Sequence, residues 1–201
     1  MGVTTFTQEI TTKVSTARMF KALILDIPLI PKIMPQFVKS IEFVEGDGGV
    51  GSIKKTTLAE GWWTLFSHSS IMYLYNCITF CNPTKKKIDS IFFFFFIGTP
   101  FKYLKHRIDA LDADNCMCNY TLIEGDVLGD KLESISYEVK FESAGGGSVC
   151  KITSHYQTKG DYNVKEEDIK EAKDKHMEVY KIVEEYLLAN PNVYAEATCA
   201  C

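Results

Sequence analysis

The sequence predicts an α+β domain in which one long C-terminal helix lies against an antiparallel sheet. Three observations predict it. Seven stretches rich in β-branched and aromatic residues alternate with turn signals, at 4–12, 38–45, 52–58, 102–109, 115–124, 131–142 and 148–156. Two short helical pieces fall between the first and second of these. A single apolar stripe of helical period then runs through 165–189, where Ile169, Ala172, His176, Val179, Val183 and Leu187 recur every three or four residues. Strands in series followed by one helix make an α+β domain, and the stripe has no partner except the concave face of the sheet.

The first strand is a Thr- and Ile-rich run. The helical pattern of 15–25 follows, with Ser15 as N-cap and Ala17, Phe20, Leu23 and Ile24 on one side. Pro28, Pro31 and Pro35 then cut the chain into short helical or turn pieces. Ala144-Gly145-Gly146-Gly147 reads as a hairpin turn and Asp112-Ala113-Asp114-Asn115 as another. At the long helix, Asn163 is the expected N-cap, with Glu166 completing a capping box, and Pro191 ends the element.

Composition bounds the function. The 201 residues suffice for one domain with its own core, and 46% apolar and 24% charged residues are ordinary globular usage. A net charge of −4 leaves no basic excess to neutralise phosphates, so no DNA partner is expected. The opening Met1-Gly2-Val3-Thr4-Thr5-Phe6 lacks the basic and apolar regions of a signal peptide, and Gly2 does not make a myristoylation site. Seven cysteines, an odd number with no secretory leader, argue against a disulfide framework and for a reducing cytosol. The scattered His68, His106, His155 and His176 do not supply the clustered ligands of a zinc site, so neither metal nor cofactor is expected.

Face parity points to a cavity. Cys116, Cys118, Tyr120 and Leu122 share one face of their strand, as do Ile135, Tyr137, Val139 and Phe141, and Cys150, Ile152, Ser154 and Tyr156. A dry core favours aliphatics, because a buried hydroxyl needs a partner. Several inward hydroxyls therefore suggest a hydrated space, with local satisfaction of each as the alternative. The loop Gly46, Gly48, Gly49 and Gly51, followed by Lys54-Lys55, invites a phosphate reading. It joins two strands, however, whereas a nucleotide loop needs a Gly-Lys-Ser/Thr ending and a following helix. A rigid turn requiring positive φ is the better expectation.

Taken together, Ile24-Leu25-Asp26, Ile30-Pro31-Lys32-Ile33, the run from Glu45 to Lys55, Tyr120-Thr121-Leu122-Ile123-Glu124-Gly125-Asp126, Tyr156-Gln157-Thr158-Lys159-Gly160-Asp161 and Tyr186-Leu187-Leu188-Ala189-Asn190-Pro191 resemble the birch-pollen major allergen family. These are the class-ten intracellular pathogenesis-related proteins of plants, in the START-like superfamily. The resemblance covers both flanks of the chain. It implies a helix-grip fold, a seven-stranded antiparallel sheet around a long C-terminal helix with two short helices, enclosing a hydrophobic cavity. It implies a monomeric carrier or sensor of small hydrophobic ligands (flavonoid, cytokinin, sterol or abscisic-acid-like), located in the cytoplasm and also the nucleus and tied to defence. Alternatives from related proteins are a ligand-dependent inhibitor of a protein phosphatase in abscisic-acid signalling, and an enzyme, either ribonuclease or small-molecule condensing enzyme.

Residues proposed for ribonuclease activity in such proteins fall on Lys54, Glu133, Glu184 and Tyr186. By parity Lys54 groups with Thr56 and Leu58, and Glu133 with Ile135 and Tyr137, both at the cavity rim, with ion pairing as the alternative to catalysis. The cavity set combines three groups: Lys54, Thr56, Leu58 and His106; Cys118, Tyr120, Leu122 and Ile135; and Tyr137, Val139, Val179 and Val183. Cys118 stands where many relatives carry a cavity tyrosine, and the tail, 195–201, is unfamiliar.

One segment does not fit a single domain over 1–201. Between Gly61 and Pro100, where relatives run almost directly on, 62–97 is dominated by Phe, Ile, Tyr, Cys, Leu and Trp and ends in Phe92-Phe93-Phe94-Phe95-Phe96-Ile97. T-rich codons would encode it, with a pyrimidine tract at its end. It reads as a retained intron of about 37 codons joined at glycine codons, whose removal leaves 164 residues. The rivals are a lid over the cavity mouth and a membrane segment from Trp62 to Cys81, weakened by its Ser, His, Asn and Thr.

Overall fold

In the computed structural model, which describes residues 2–59 and 102–196, the chain forms one seven-stranded antiparallel sheet closed by a long helix. The strands are β1 (Val3–Thr12), β2 (Val38–Glu45), β3 (Ile53–Leu58), β4 (Tyr103–Asp112), β5 (Met117–Gly125), β6 (Leu132–Ala144) and β7 (Gly147–Thr158). Their order is β1-β7-β6-β5-β4-β3-β2. All but one junction joins sequence neighbours, and β1 pairs with β7 along its whole length, from Val3↔Gln157 to Thr12↔Ser148. The predicted insert, 62–97, and the end of the tail lie outside the described residues.

Short helices α1 (Thr16–Phe20) and α2 (Leu29–Ile33) cross between β1 and β2, and α3 (Glu166–Ala189) is the long helix. A π-helical turn, Lys21–Leu25, extends α1. Pro31 sits inside α2 without breaking it, because a residue in the first turn has no intrahelical acceptor for its N–H in any case. The start of α3 departs from the sequence reading. Lys165 is the N-cap, and the Asp168 carboxylate accepts its N–H at 2.9 Å. Asn163 instead accepts a hydrogen bond from the Thr4 hydroxyl, which ties it to β1. At the other end, the Arg18 guanidinium donates to the carbonyls of Leu187, Asn190 and Val193, which satisfies orphan acceptors and places a cation at the negative pole of the helix.

The turns follow the sequence chemistry. Gly145 and Gly146 both have positive φ, 55° and 86°, and close a two-residue hairpin between β6 and β7. In the β4–β5 turn, Asp112 accepts from the Asn115 backbone and side chain.

The helix stripe splits in two. In the C-terminal half of α3, Val183 and Leu187 are fully buried in a core with Met19, Phe20, Val139 and Phe141. Phe141 stacks on Tyr180, and Phe20 meets Phe141 edge-on at 5.9 Å. In the N-terminal half, Ile169, Ala172, His176 and Val179 face empty space instead. One element thus anchors the fold at one end and roofs a cavity at the other.

Candidate functional site

That cavity holds about 750 Å³ between α3 and the sheet, within the ordinary range of small-molecule sites. Its walls are mainly aliphatic and aromatic, contributed by β2 to β7, the π turn, the β5–β6 loop and α3. Of the cavity residues predicted above, Lys54, Thr56, Leu58 and His106 line it, and so do Tyr120, Leu122, Ile135, Tyr137 and Val179.

Three predicted positions are corrected. Val139 and Val183 are core residues, 2% and 0% exposed. At their level α1 and the Phe141–Tyr180 stack already fill the gap between helix and sheet. Cys118 faces not this cavity but a smaller neighbouring space. Face parity places a residue on the concave side of a strand without saying whether the space opposite is full.

The four residues considered for nuclease chemistry do not meet. Register shifts between Leu132 and Ser134, so strand alternation breaks there. Leu132 lines the cavity in place of Glu133, which is exposed and accepts a hydrogen bond from Gln157 at 3.0 Å. Glu184 accepts from the Lys13 amide at 2.6 Å. Gln157 pairs with the start of β1 and Lys13 follows its end. The two carboxylates therefore stand a whole strand apart, on the order of 30 Å for ten residues. Tyr186 packs on the core cluster. The ion-pair alternative for Lys54 also fails among the described residues, where no carboxylate bridges to it.

A polar row crosses the cavity wall. Lys54 and His106 are register partners on β3 and β4. The Lys54 ammonium lies 5.9 Å from the centre of the Tyr120 ring. His106 meets Tyr120 edge-on at 5.3 Å, Tyr120 stacks on Tyr137 at 5.1 Å, and Tyr137 meets His176 of α3 at 6.0 Å. Burial lowers the Lys54 pKa, opposed in part by nearby Cys118. His106 is driven to about 3 by burial first, then by the charges of Lys54 and His176. Its Nδ1 is buried with no hydrogen-bond partner. His176 is also lowered, by burial.

A histidine kept neutral in the folded chain takes up a proton on unfolding below its ordinary value of 6.5. This contribution is therefore complete above pH 6.5 and falls as pH drops below it, by up to about 1.4 kcal/mol per pH unit for each such group, for His106 down to about 3. Lowered carboxylates such as Glu124 and Asp168 lose their contribution only below their ordinary values, 4.5 and 3.8. The window from pH 6.5 to 5 thus isolates the histidines. Urea midpoints measured across it should fall in the parent chain and fall less in His106→Gln. An identical slope in both would refute the assignment.

The glycine loop is built as a closed turn. Gly46, Gly48 and Gly51 have positive φ, at 77°, 105° and 89°, a region in which a side chain is strained. A Cβ on Gly46 would collide with the Ser52 side chain. The amides that a phosphate would need are already engaged. Gly48 N–H donates to Ser52 Oγ, Gly49 N–H to Asp47, and Gly51 N–H to the Ile108 carbonyl. No group of clustered His, Cys, Asp or Glu side chains able to hold a metal occurs among the described residues, and no described helix is long and apolar enough to cross a membrane.

The predicted cavity set lacked the strand residues Val38, Leu104, Leu132 and Tyr156 and the α3 residues Ile169, Ala172 and His176; outside those elements it lacked Leu23 and Ile24 of the π turn, Val127 and Leu128 of the β5–β6 loop, and Tyr162 and Val164 before α3. Leu23 and Ile24 lie on the apolar side of the helical pattern over 15–25, and Val127, Leu128, Tyr162 and Val164 lie in connections, where no periodicity marks the inward side. The rim there is charged: Tyr162 donates to Asp168 at 2.9 Å and lies under the Lys131 ammonium.

A helix gripped by a seven-stranded sheet around an apolar cavity defines the helix-grip class. The family model described as "Pathogenesis-related protein Bet v 1 family" matches residues 1–70 and 78–190, and the chain belongs to that family. It is 49% identical over 197 residues to pathogenesis-related protein STH-21 of Solanum tuberosum, covering 97% of this chain and all of the relative. It is 43% identical to the major strawberry allergen Fra a 1.08 of Fragaria ananassa, covering 96% and 99% of the two chains. Among solved structures, Ara h 8.0201 superposes with a TM-score of 0.68 at 32% identity, covering 94% of this chain and 100% of that one.

Proposed function

We propose that this protein is a carrier or sensor of small hydrophobic plant metabolites, acting in defence as a cytoplasmic monomer. The observation behind this reading is the apolar cavity with the half-buried Lys54 in its wall, which has no carboxylate partner among the described residues. A buried donor without an acceptor is costly, so a ligand that brings an acceptor is favoured over a pure hydrocarbon. Flavonoids, cytokinins, sterols and abscisic-acid-like acids all combine an apolar body with such groups. The nuclease alternative lacks support, since a general acid and base must reach the same substrate atoms and the candidate carboxylates sit at opposite ends of β1.

The test is calorimetric titration with naringenin, kinetin and abscisic acid, followed by mass analysis of the recovered ligand. Saturable binding with unchanged ligand is expected for at least one of them. Lys54→Met should weaken an acidic ligand by about tenfold or more, as expected for a charge-assisted hydrogen bond. Absence of binding by all three, or turnover of the ligand, would sink the reading. Signalling through a ligand-dependent protein phosphatase is a finer form of the same proposal. It requires abscisic acid among the binders, which the titration decides.

A further inference from the structure

A second, smaller space lies beneath the glycine loop. It holds about 190 Å³, and Ile27, Phe43, Ile108 and Leu111 are among its walls. Exposed Asp47 also borders it, with its carboxylate engaged by the Gly49 amide. Lys54, His106, Tyr120 and Ile24 line both this space and the large cavity, so the polar row acts as a partition between two compartments. An aliphatic cavity of about 150 Å³ holds one benzene molecule, which makes the smaller compartment the size of a single ring. The loop above it closes only with glycine at position 48, where a Cβ would come within 3.0 Å of the Phe43 ring. Within the partition His106 Nδ1 is buried with no hydrogen-bond partner among the described residues, and the half-buried Lys54 ammonium, its register partner, carries three donors. A polar group passing between the compartments would meet both.

We propose that the space under the glycine loop is a second ligand compartment. It takes one aromatic or alicyclic ring of a two-part ligand whose main body fills the large cavity and whose linking carbonyl or carboxylate rests beside Lys54 and His106. This rests on the carrier reading above and narrows its ligand class to molecules with apolar groups on both sides of an acceptor.

The test uses the full chain and two ketone probes that differ by one ring, chalcone (1,3-diphenylpropenone) and 4-phenyl-3-buten-2-one, with benzene as a third probe. Leu25 lines the compartment and is 40% exposed, so Leu25→Trp fills the space with little risk to folding; Leu111→Phe is the second filling variant. Chalcone affinity should fall at least about tenfold in both variants, while 4-phenyl-3-buten-2-one stays within about twofold. In the parent chain, benzene should shift the methyl resonances of Ile108 and Leu111, and Leu25→Trp should abolish the Ile108 shift. Equal losses for the two ketones, or no loss for chalcone, would overturn the proposal. If neither ketone binds the parent chain, the carrier reading is decided by the titration with naringenin, kinetin and abscisic acid, and the benzene shifts decide the compartment; unmoved methyls would reject it.

Discussion

A chain lacking residues 62–98 is expected to fold to the same sheet, with higher stability and higher soluble yield than the full chain. The reason lies in the register of β3 and β4. Thr57 pairs with Tyr103, and the Leu58 amide donates to the Lys102 carbonyl at 2.9 Å. The two ends of the interval are therefore already in hairpin contact, and the 42 residues from 60 to 101 lie between them. Removing 37 leaves five: Glu60, Gly61, Thr99, Pro100 and Phe101. Five residues is an ordinary hairpin loop. By closure entropy alone, shortening the loop from 42 to five residues favours folding by about 2 kcal/mol, or roughly 4–8 °C of Tm for a domain of this size. Removal of an apolar, Phe-rich run also takes away an aggregation hazard. Thermal unfolding and soluble yield of the two forms, with sequencing of the mature transcript across codons 61 to 98, check this. A short form that fails to fold, or a translated message that retains the segment, would make 62–97 an integral part of the protein.

Phe20→Ala is expected to be the most damaging single change in the described core, at about 3–5 kcal/mol. Phe20 is 1% exposed and packs edge-on against Phe141, which in turn stacks on Tyr180 of α3. This cluster is where helix, sheet and α1 meet. Truncation there leaves a void that the stacked rings cannot close, since they are held from both sides. The Tm should drop by about 6–20 °C. Met177→Ala, at a position 52% exposed on the same helix, should stay within about 0.5 kcal/mol and serves as the control. Urea unfolding of both variants measures the difference. A loss at Phe20 below about 1 kcal/mol would mean that the cavity-side contacts, not this cluster, hold α3 in place.

The two expectations rest on different parts of the chain. All seven strands and α3 were legible in the sequence, because strand alternation and a period of 3.6 are written residue by residue. Local ends were less so: the α3 cap moved from Asn163 to Lys165 because a distant strand, through Thr4, claims the Asn163 side chain. Most cavity residues on strands were legible for the same reason as the strands. Glu133 was not, since one bulge reverses the face of everything on its far side.

By itself the sequence determined the element order, the tight glycine turns and the family, because these depend on local conformational preference and on residues read in series. Only the tertiary structure decided where core ends and cavity begins. The same helix stripe is packed solid at Val183 and Leu187 and left open at Ile169 and His176. That difference comes from α1 and its Phe20 being wedged under one end of α3 and not the other. Burial likewise separated Lys54 from its expected ion-pair partners and left it with His106 on a partition between two spaces. Nothing in the spacing of residues along the chain encodes the distance between groups brought together from β3, β4 and α3, so the chemistry of the site becomes visible only when they are packed.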